Sequence, residues 1–459
     1  MNNTTIEQRV ATLREFFNTH QTFDYSYRLA ALKRLEDAIL SHEEDIYKAL
    51  KRDLNKTRFE GHLTEVGIVL GELRHTIKKL SNWMKPKRQK IALSQLPATA
   101  KLYSDPYGVV LIMSPWNYPF QLTLIPLIGA IAAGNCAVLK PSAYSAHTTD
   151  LIAAIIGEAF DDNYISVVTG GREQNKDLLA QKFDYIFFTG SPIVGKIVMQ
   201  RAAENLTPVT LELGGKSPCI IDKTADIAKT AKRILFGKLI NLGQTCVAPD
   251  YLLVHQDVKD QLIGALQQTY QKMISDEHYA KTALPRIINQ KHYDRLKGYL
   301  TEGNIIWGGQ TDDQNRQISF TLIEKMALDG PLMSEEIFGP ILPLVVWREA
   351  DEVVSFVNDR PKPLALYLFT NDNALQEKIV KHTSYGGGCI NDTILHITAA
   401  SQPFGGVGNS GIGVYHGYET FKTFSHQKNI LKKWWLFDLP VRYHPYKDIE
   451  KKLPQFLFK

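Results

Sequence analysis

The apolar positions of this chain change period near residue 108. Before it, Leu29, Leu32, Leu35, Ile39, Ile46 and Leu50 recur at near-helical spacing with Lys, Arg and Glu between them, which predicts helices through the N-terminal region. Residues 91–105 lose that period; they are polar, contain Pro97, and predict an extended arm or linker. From Gly108 short apolar runs alternate with helical stretches: strands are predicted at 109–113, 137–139, 165–168 and 185–188, and helices at 122–133, 146–159, 176–180 and 193–204. A second series follows, with strands near 217–221, 251–254, 342–346 and 366–369 and helices near 225–239, 259–274 and 352–358. Alternation of this kind predicts an α/β fold of two doubly wound parallel-sheet domains with a small oligomerisation arm. The expected division is 1–90 with 106–208, then 209–400, with 91–105 and 401–459 as arm and C-terminal tail.

Composition narrows the class. The 459 residues are 44% hydrophobic and 22% charged, which argues against disorder. The net charge of +5 is small and scattered, giving no case for nucleic acid. Cys136, Cys219, Cys246 and Cys389 form no C-x-x-C pair and no disulfide framework, and the N-terminus has no secretory signal, so a reducing, cytoplasmic setting is expected. Residues 120–139 approach the length of a membrane span, but Pro126, Gly129, Gly134 and Asn135 predict a buried helix, a turn and a buried strand instead. No histidine or cysteine spacing suggests a metal.

The chemistry concentrates around one thiol. Cys246 lies in Gly243-Gln244-Thr245-Cys246-Val247-Ala248-Pro249, among small polar neighbours just after a predicted helix, whereas the other three cysteines sit in apolar, strand-like settings. A thiol there can attack a carbonyl carbon. Glu212, in Leu211-Glu212-Leu213-Gly214-Gly215-Lys216, can activate the water that releases what the thiol captures. Asn117, in a proline-bracketed loop with Trp116 and Tyr118, either donates to an oxyanion or bonds its own turn. The run Phe187-Phe188-Thr189-Gly190-Ser191-Pro192 is a strand entering a helix through an N-cap, suited to a phosphate or to no ligand at all. Lys140, at the end of a predicted strand, reaches a ribose or phosphate, or else solvent; Glu336, ahead of Phe338-Gly339-Pro340, suits a ribose diol, or else a turn. Gly406-Val407-Gly408-Asn409-Ser410-Gly411 matches a dinucleotide fingerprint by letters only, since no strand feeds it and no βαβ unit surrounds it.

In order along the chain, Pro115-Trp116-Asn117, Lys140-Pro141-Ser142, Phe188-Thr189-Gly190-Ser191, Glu212 through Lys216, Gly243 through Cys246, Glu336 through Pro340 and Pro403-Phe404-Gly405-Gly406 resemble the aldehyde dehydrogenase superfamily. Cys246-Val247-Ala248-Pro249-Asp250-Tyr251 and Tyr415-His416-Gly417 resemble its class 3, fatty-aldehyde-type branch. The resemblance implies that Cys246 attacks the aldehyde and that Asn117 and the Cys246 N–H hold the oxyanion. Hydride then passes to a nicotinamide, and Glu212 activates water to hydrolyse the thioester. It also implies that Lys140 and Glu336 bind the two riboses, Gly190 and Ser191 lie at the pyrophosphate, and Phe338 sits against the nicotinamide. Many NAD-preferring relatives carry an acid three residues after the lysine; here that position is Ala143, so NAD with tolerance of NADP is expected. Aromatic Trp116 and Tyr118 predict an apolar pocket and an apolar aldehyde, medium or long aliphatic or aromatic. The resemblance implies a homodimer, with 91–105 as a candidate exchange arm. The basic, aromatic tail from Lys432 either packs on the body or a partner, the favoured reading, or touches a membrane surface. An acylating, coenzyme A-dependent dehydrogenase is the alternative enzyme, and a non-catalytic binding protein is a third reading.

Overall fold

The computed structural model describes residues 5–274, 283–435 and 443–444. A six-stranded sheet has the order Gly411–Ile412, Val209–Leu213, Tyr185–Gly190, Val109–Met113, Cys136–Lys140, Ile165–Val167. All neighbours are parallel except the first pair. Every residue of Val109–Met113 and Cys136–Lys140 is buried, as expected of central parallel strands covered on both faces. Helix Gln121–Ala133 is buried all round, with Pro126 inside it. Gly134, at φ 92°, ends that helix in the left-handed conformation and turns the chain into Cys136–Lys140, so the apolar run at 120–139 is helix, turn and strand. Among the described residues no helix is long and apolar enough to cross a membrane.

A seven-stranded sheet follows, in the order Asn304–Trp307, Thr321–Glu324, Ile341–Trp347, Tyr251–His255, Pro218–Ile221, Ala365–Phe369, Gly387–Ile390. Only Asn304–Trp307 runs antiparallel. The third sheet is antiparallel and joins Lys87–Gln89 and Ser425–Lys433 to the two edges of Ala98–Pro106.

Two expected boundaries are corrected. Strand Val209–Leu213 pairs with Tyr185–Gly190 in the first sheet, so the crossing to the second sheet falls at Gly214–Lys216 and not at Pro208. Of the described residues of the expected tail, Gly411–Ile412 joins the first sheet and helix Tyr418–Thr423 packs on Gln121–Ala133, so among them only Ser425–Lys433 belongs to the arm. That helix contact is close: a Cβ on Gly129 would stand 2.1 Å from Thr420 Cγ2. The tail beyond Trp435 lies mostly outside the described residues.

Candidate active site

Helix Ile227–Leu239 ends in an unusual turn. Asn241 (φ 48°), Leu242 (φ 53°) and Gly243 (φ 75°) are successively left-handed, a conformation costing of order 1 kcal/mol or more at each non-glycine. Hydrogen bonds hold it. Glu60 accepts from the Asn241 N–H (2.6 Å), and Gln244 Nε2 donates to Asn241 O and Arg286 O (both 3.0 Å). The turn delivers Cys246, half-buried, to the wall of an apolar cavity of about 110 Å³. Leu63, Ile68, Leu122, Phe236, Ile394 and Phe404 supply much of its lining. Burial, then the Glu336 and Glu212 carboxylates, push the thiol up to about 12, against the pull of the Cys246 and Val247 backbone N–H groups.

Glu212 lines the same cavity. It is the fourth residue of Val209–Leu213, in register with Thr189 on one side and Gly411 on the other. The side chain is buried and neither carboxylate oxygen has a hydrogen-bond partner. Burial therefore raises its pKa well above the usual carboxylate range. A buried polar group without a partner is expensive, so this one points to a role met only when water or substrate is present.

Asn117 is buried and its Nδ2 donates 3.0 Å to Gln244 O, two residues before the thiol. An amide nitrogen carries two hydrogens; this bond uses one and ties the amide to the cysteine turn rather than to its own. Tyr118 OH and Thr245 Oγ1, 2.5 Å apart, link the same two loops.

The remaining expected residues gather along the sheet ends. Lys140 ends its strand, buried rather than solvated, with Nζ donating 2.8 Å to Pro141 O. Burial lowers its pKa to about 8. Gly190 ends Tyr185–Gly190, and Ser191 caps helix Pro192–Ala203 by accepting from the Val194 N–H (3.5 Å), with Pro192 in the first turn. The Glu336 carboxyl lies against Gly214, where a Cβ would be 2.0 Å from Oε2, and its Oε1 has no partner. Burial, and then Asp250, raise it to about 8. Phe338 is left-handed (φ 55°) and meets Trp116 edge-on at 5.4 Å. Gly406 packs in a tight turn, a Cβ there standing 2.1 Å from Ser410 O, and no helix follows at once.

The aldehyde dehydrogenase family model matches residues 1–430. The chain belongs to that family. It is 47% identical over 453 residues to the 4,4'-diaponeurosporen-aldehyde dehydrogenase of Staphylococcus aureus, covering 98% of this chain and 99% of the relative. It is 45% identical over 425 residues to aldehyde dehydrogenase family 3 member B3 of Mus musculus, covering 93% and 89%. The solved structure of the substrate-bound state of Staphylococcus aureus AldH superposes with a TM-score of 0.95 at 47% identity, covering 98% of this chain and 99% of that one. The chain is an oxidoreductase acting on aldehydes, in the class 3 branch.

Aldehyde dehydrogenases in general use a nicotinamide dinucleotide, and this enzyme's residues fit one. The first sheet offers a buried ammonium at Lys140 and a capped helix N-terminus at Ser191, which suit phosphate and hydroxyl groups. The Oε1 of Glu336 is buried without a partner, which leaves it able to accept from a hydroxyl. Around Glu336 a frame escaped the sequence reading. Arg295 donates to Glu336 O (3.2 Å) and Ile337 O (2.7 Å), and Asp250 accepts from the Ile337 N–H (3.0 Å) and from Lys216 (2.5 Å). Lys216 and Asp250 stood inside quoted motifs and could have been marked as a pair. Arg295 carries no local signal.

Proposed function

We propose that this aldehyde dehydrogenase oxidises an apolar aldehyde to the free carboxylic acid through a covalent adduct on Cys246. The observation that carries the reading is the sharing of one apolar cavity by the Cys246 thiol and a buried, unpartnered Glu212 carboxyl. Cys246 Sγ adds to the carbonyl carbon. The second Asn117 amide hydrogen and the Cys246 N–H hold the oxygen that becomes negative. A nicotinamide dinucleotide held here would supply the hydride acceptor, with NAD used and NADP tolerated because Ala143 brings no carboxylate beside Lys140. Glu212 then takes a proton from water, which attacks the thioester. Burial disfavours thiolate and carboxylate alike, so Cys246 gives its proton to solvent before Sγ attacks, and Glu212 loses its own before it takes one from water. Lys140 and Glu336 would hold the riboses, Gly190 and Ser191 the pyrophosphate, and Phe338 the nicotinamide side. We further propose a cytoplasmic homodimer.

The apolar lining sets the substrate. Each methylene buried in the cavity contributes about 0.8 kcal/mol, or roughly fourfold in kcat/KM. For straight-chain aldehydes of increasing length, kcat/KM is expected to climb by that step and then level off. The assay follows NADH and NADPH formation with and without coenzyme A. Acyl-coenzyme A as the main product, or no dependence on chain length, would contradict the proposal.

A further inference from the structure

Three charged side chains outside the substrate cavity converge on the loops that carry Asn117 and Cys246. All come from residues 56–65, a segment that runs into a wide π-turn at His62–Val66. Lys56 Nζ and Glu65 Oε1 form an ion pair of 2.6 Å, with both side chains fully buried. Lys56 Nζ also donates to Asn117 O (3.0 Å) and lies 4.0 Å from the centroid of the Tyr118 ring. The second oxygen of Glu65 accepts the N–H groups of Phe120 (3.1 Å) and Gln121 (2.9 Å). Glu60 takes the Asn241 N–H, and Asn241 Nδ2 donates to both Asn117 O (2.9 Å) and Gln244 O (3.1 Å). Asn117 O is thus gripped by Lys56 and Asn241, and Gln244 O by Asn117 and Asn241.

A fully buried ion pair contributes little net stability, because desolvation offsets the attraction. Its placement at the root of both loops calls for another role. We propose that Lys56, Glu60 and Glu65 are positioning residues. They lock the Asn117 loop to the Cys246 turn, so that the unused Asn117 amide hydrogen stays aimed at the oxygen of the captured aldehyde. The proposal rests on the oxyanion role given to Asn117 above. Preorganised donors act through fixed geometry, so a loosened loop loses rate and not substrate affinity.

Lys56→Met alone leaves Glu65 buried without its partner and risks unfolding. The informative variant is Lys56→Met/Glu65→Gln, which removes both charges and keeps an oxygen for the Phe120 and Gln121 N–H groups. Its NADH burst rate, normalised to titrated active sites, is expected to fall roughly 10- to 100-fold, with aldehyde KM and cofactor Kd within about threefold. Adding Asn117→Ala to it is expected to cost no more than Asn117→Ala alone, since the two changes disable one device. A lower titre of active sites with an unchanged rate per site would reduce the pair to a structural element and overturn the proposal. Multiplying losses with Asn117→Ala would do the same. A normal burst in Asn117→Ala by itself would instead defeat the oxyanion reading, and this inference with it.

Discussion

Glu212→Gln separates the work of the thiol from that of the carboxylate. The native carboxyl is buried with both oxygens unpartnered, so an isosteric amide breaks no hydrogen bond and alters no packing volume. The other buried carboxyl noted near the thiol, Glu336, is turned against Gly214. His416 also lines the cavity, but burial lowers its pKa to about 4 and makes it a weak base. The loss should therefore approach the full contribution of a positioned general base, about 10²- to 10⁴-fold in thioester hydrolysis, or roughly 3–5 kcal/mol in barrier. Thiol attack and hydride loss do not draw on that proton transfer. Rapid mixing of enzyme, cofactor and aldehyde should therefore still give one NADH per active site, followed by a steady state slowed by that factor. Hydroxylamine added during the slow phase should release the hydroxamate, which reports the trapped thioester. A steady state within about threefold of the native rate would remove Glu212 from hydrolysis, and abolition of the burst would move it to an earlier step.

Ala143 is exposed three residues after Lys140, so Ala143→Glu should repel a 2′-phosphate and raise the KM for NADP about tenfold or more, with that for NAD little changed. An unchanged NADP KM would detach Lys140 from the adenosine ribose. Glu72 is buried, accepts the Gly417 N–H (2.6 Å), and is raised by burial from 4.5 to about 7. A folded pKa above the unfolded one means stability is complete below pH 4.5 and declines as pH rises to about 7, at a cost of up to about 3 kcal/mol. Glu72→Gln keeps the acceptor, so its melting temperature should match the native one near pH 5 and exceed it near pH 8; a difference independent of pH would contradict this.

What the sequence disclosed and what it withheld differ by distance along the chain. Ser191 and Pro192 announce a helix start by their own chemistry, and the structure has them as cap and first turn. The 120–139 run was legible because Gly134 and Asn135 permit only a turn between two buried elements. Val209–Leu213 was misassigned for the opposite reason. Both Thr207-Pro208 and Gly214-Gly215 are good turns, and only the non-local pairing with Tyr185–Gly190 says which of them crosses between sheets. Strands Asn304–Trp307 and Thr321–Glu324 passed unread; the first is not fully buried and lacks clean alternation, and it pairs antiparallel at the sheet edge.

The same rule divides the site. Cys246, Glu212 and Asn117 were visible because each carries chemistry that can be asked of it alone. Lys56 and Glu65, nine positions apart, carry no local signal in the sequence. Only the fold shows them buried together, with Lys56 against a carbonyl 61 residues away. Lys216 with Asp250 repeats the arrangement under Glu336, again as a buried pair whose other bonds end on loop backbone, at Glu335 O and the Ile337 N–H. A buried pair is poor insulation against unfolding, yet it resists small displacement, because moving either charge exposes the other to an apolar surround. Two such pairs at the roots of the Asn117–Cys246 loops and the Glu336 loop are what would be expected where geometry has to be held more tightly than stability requires.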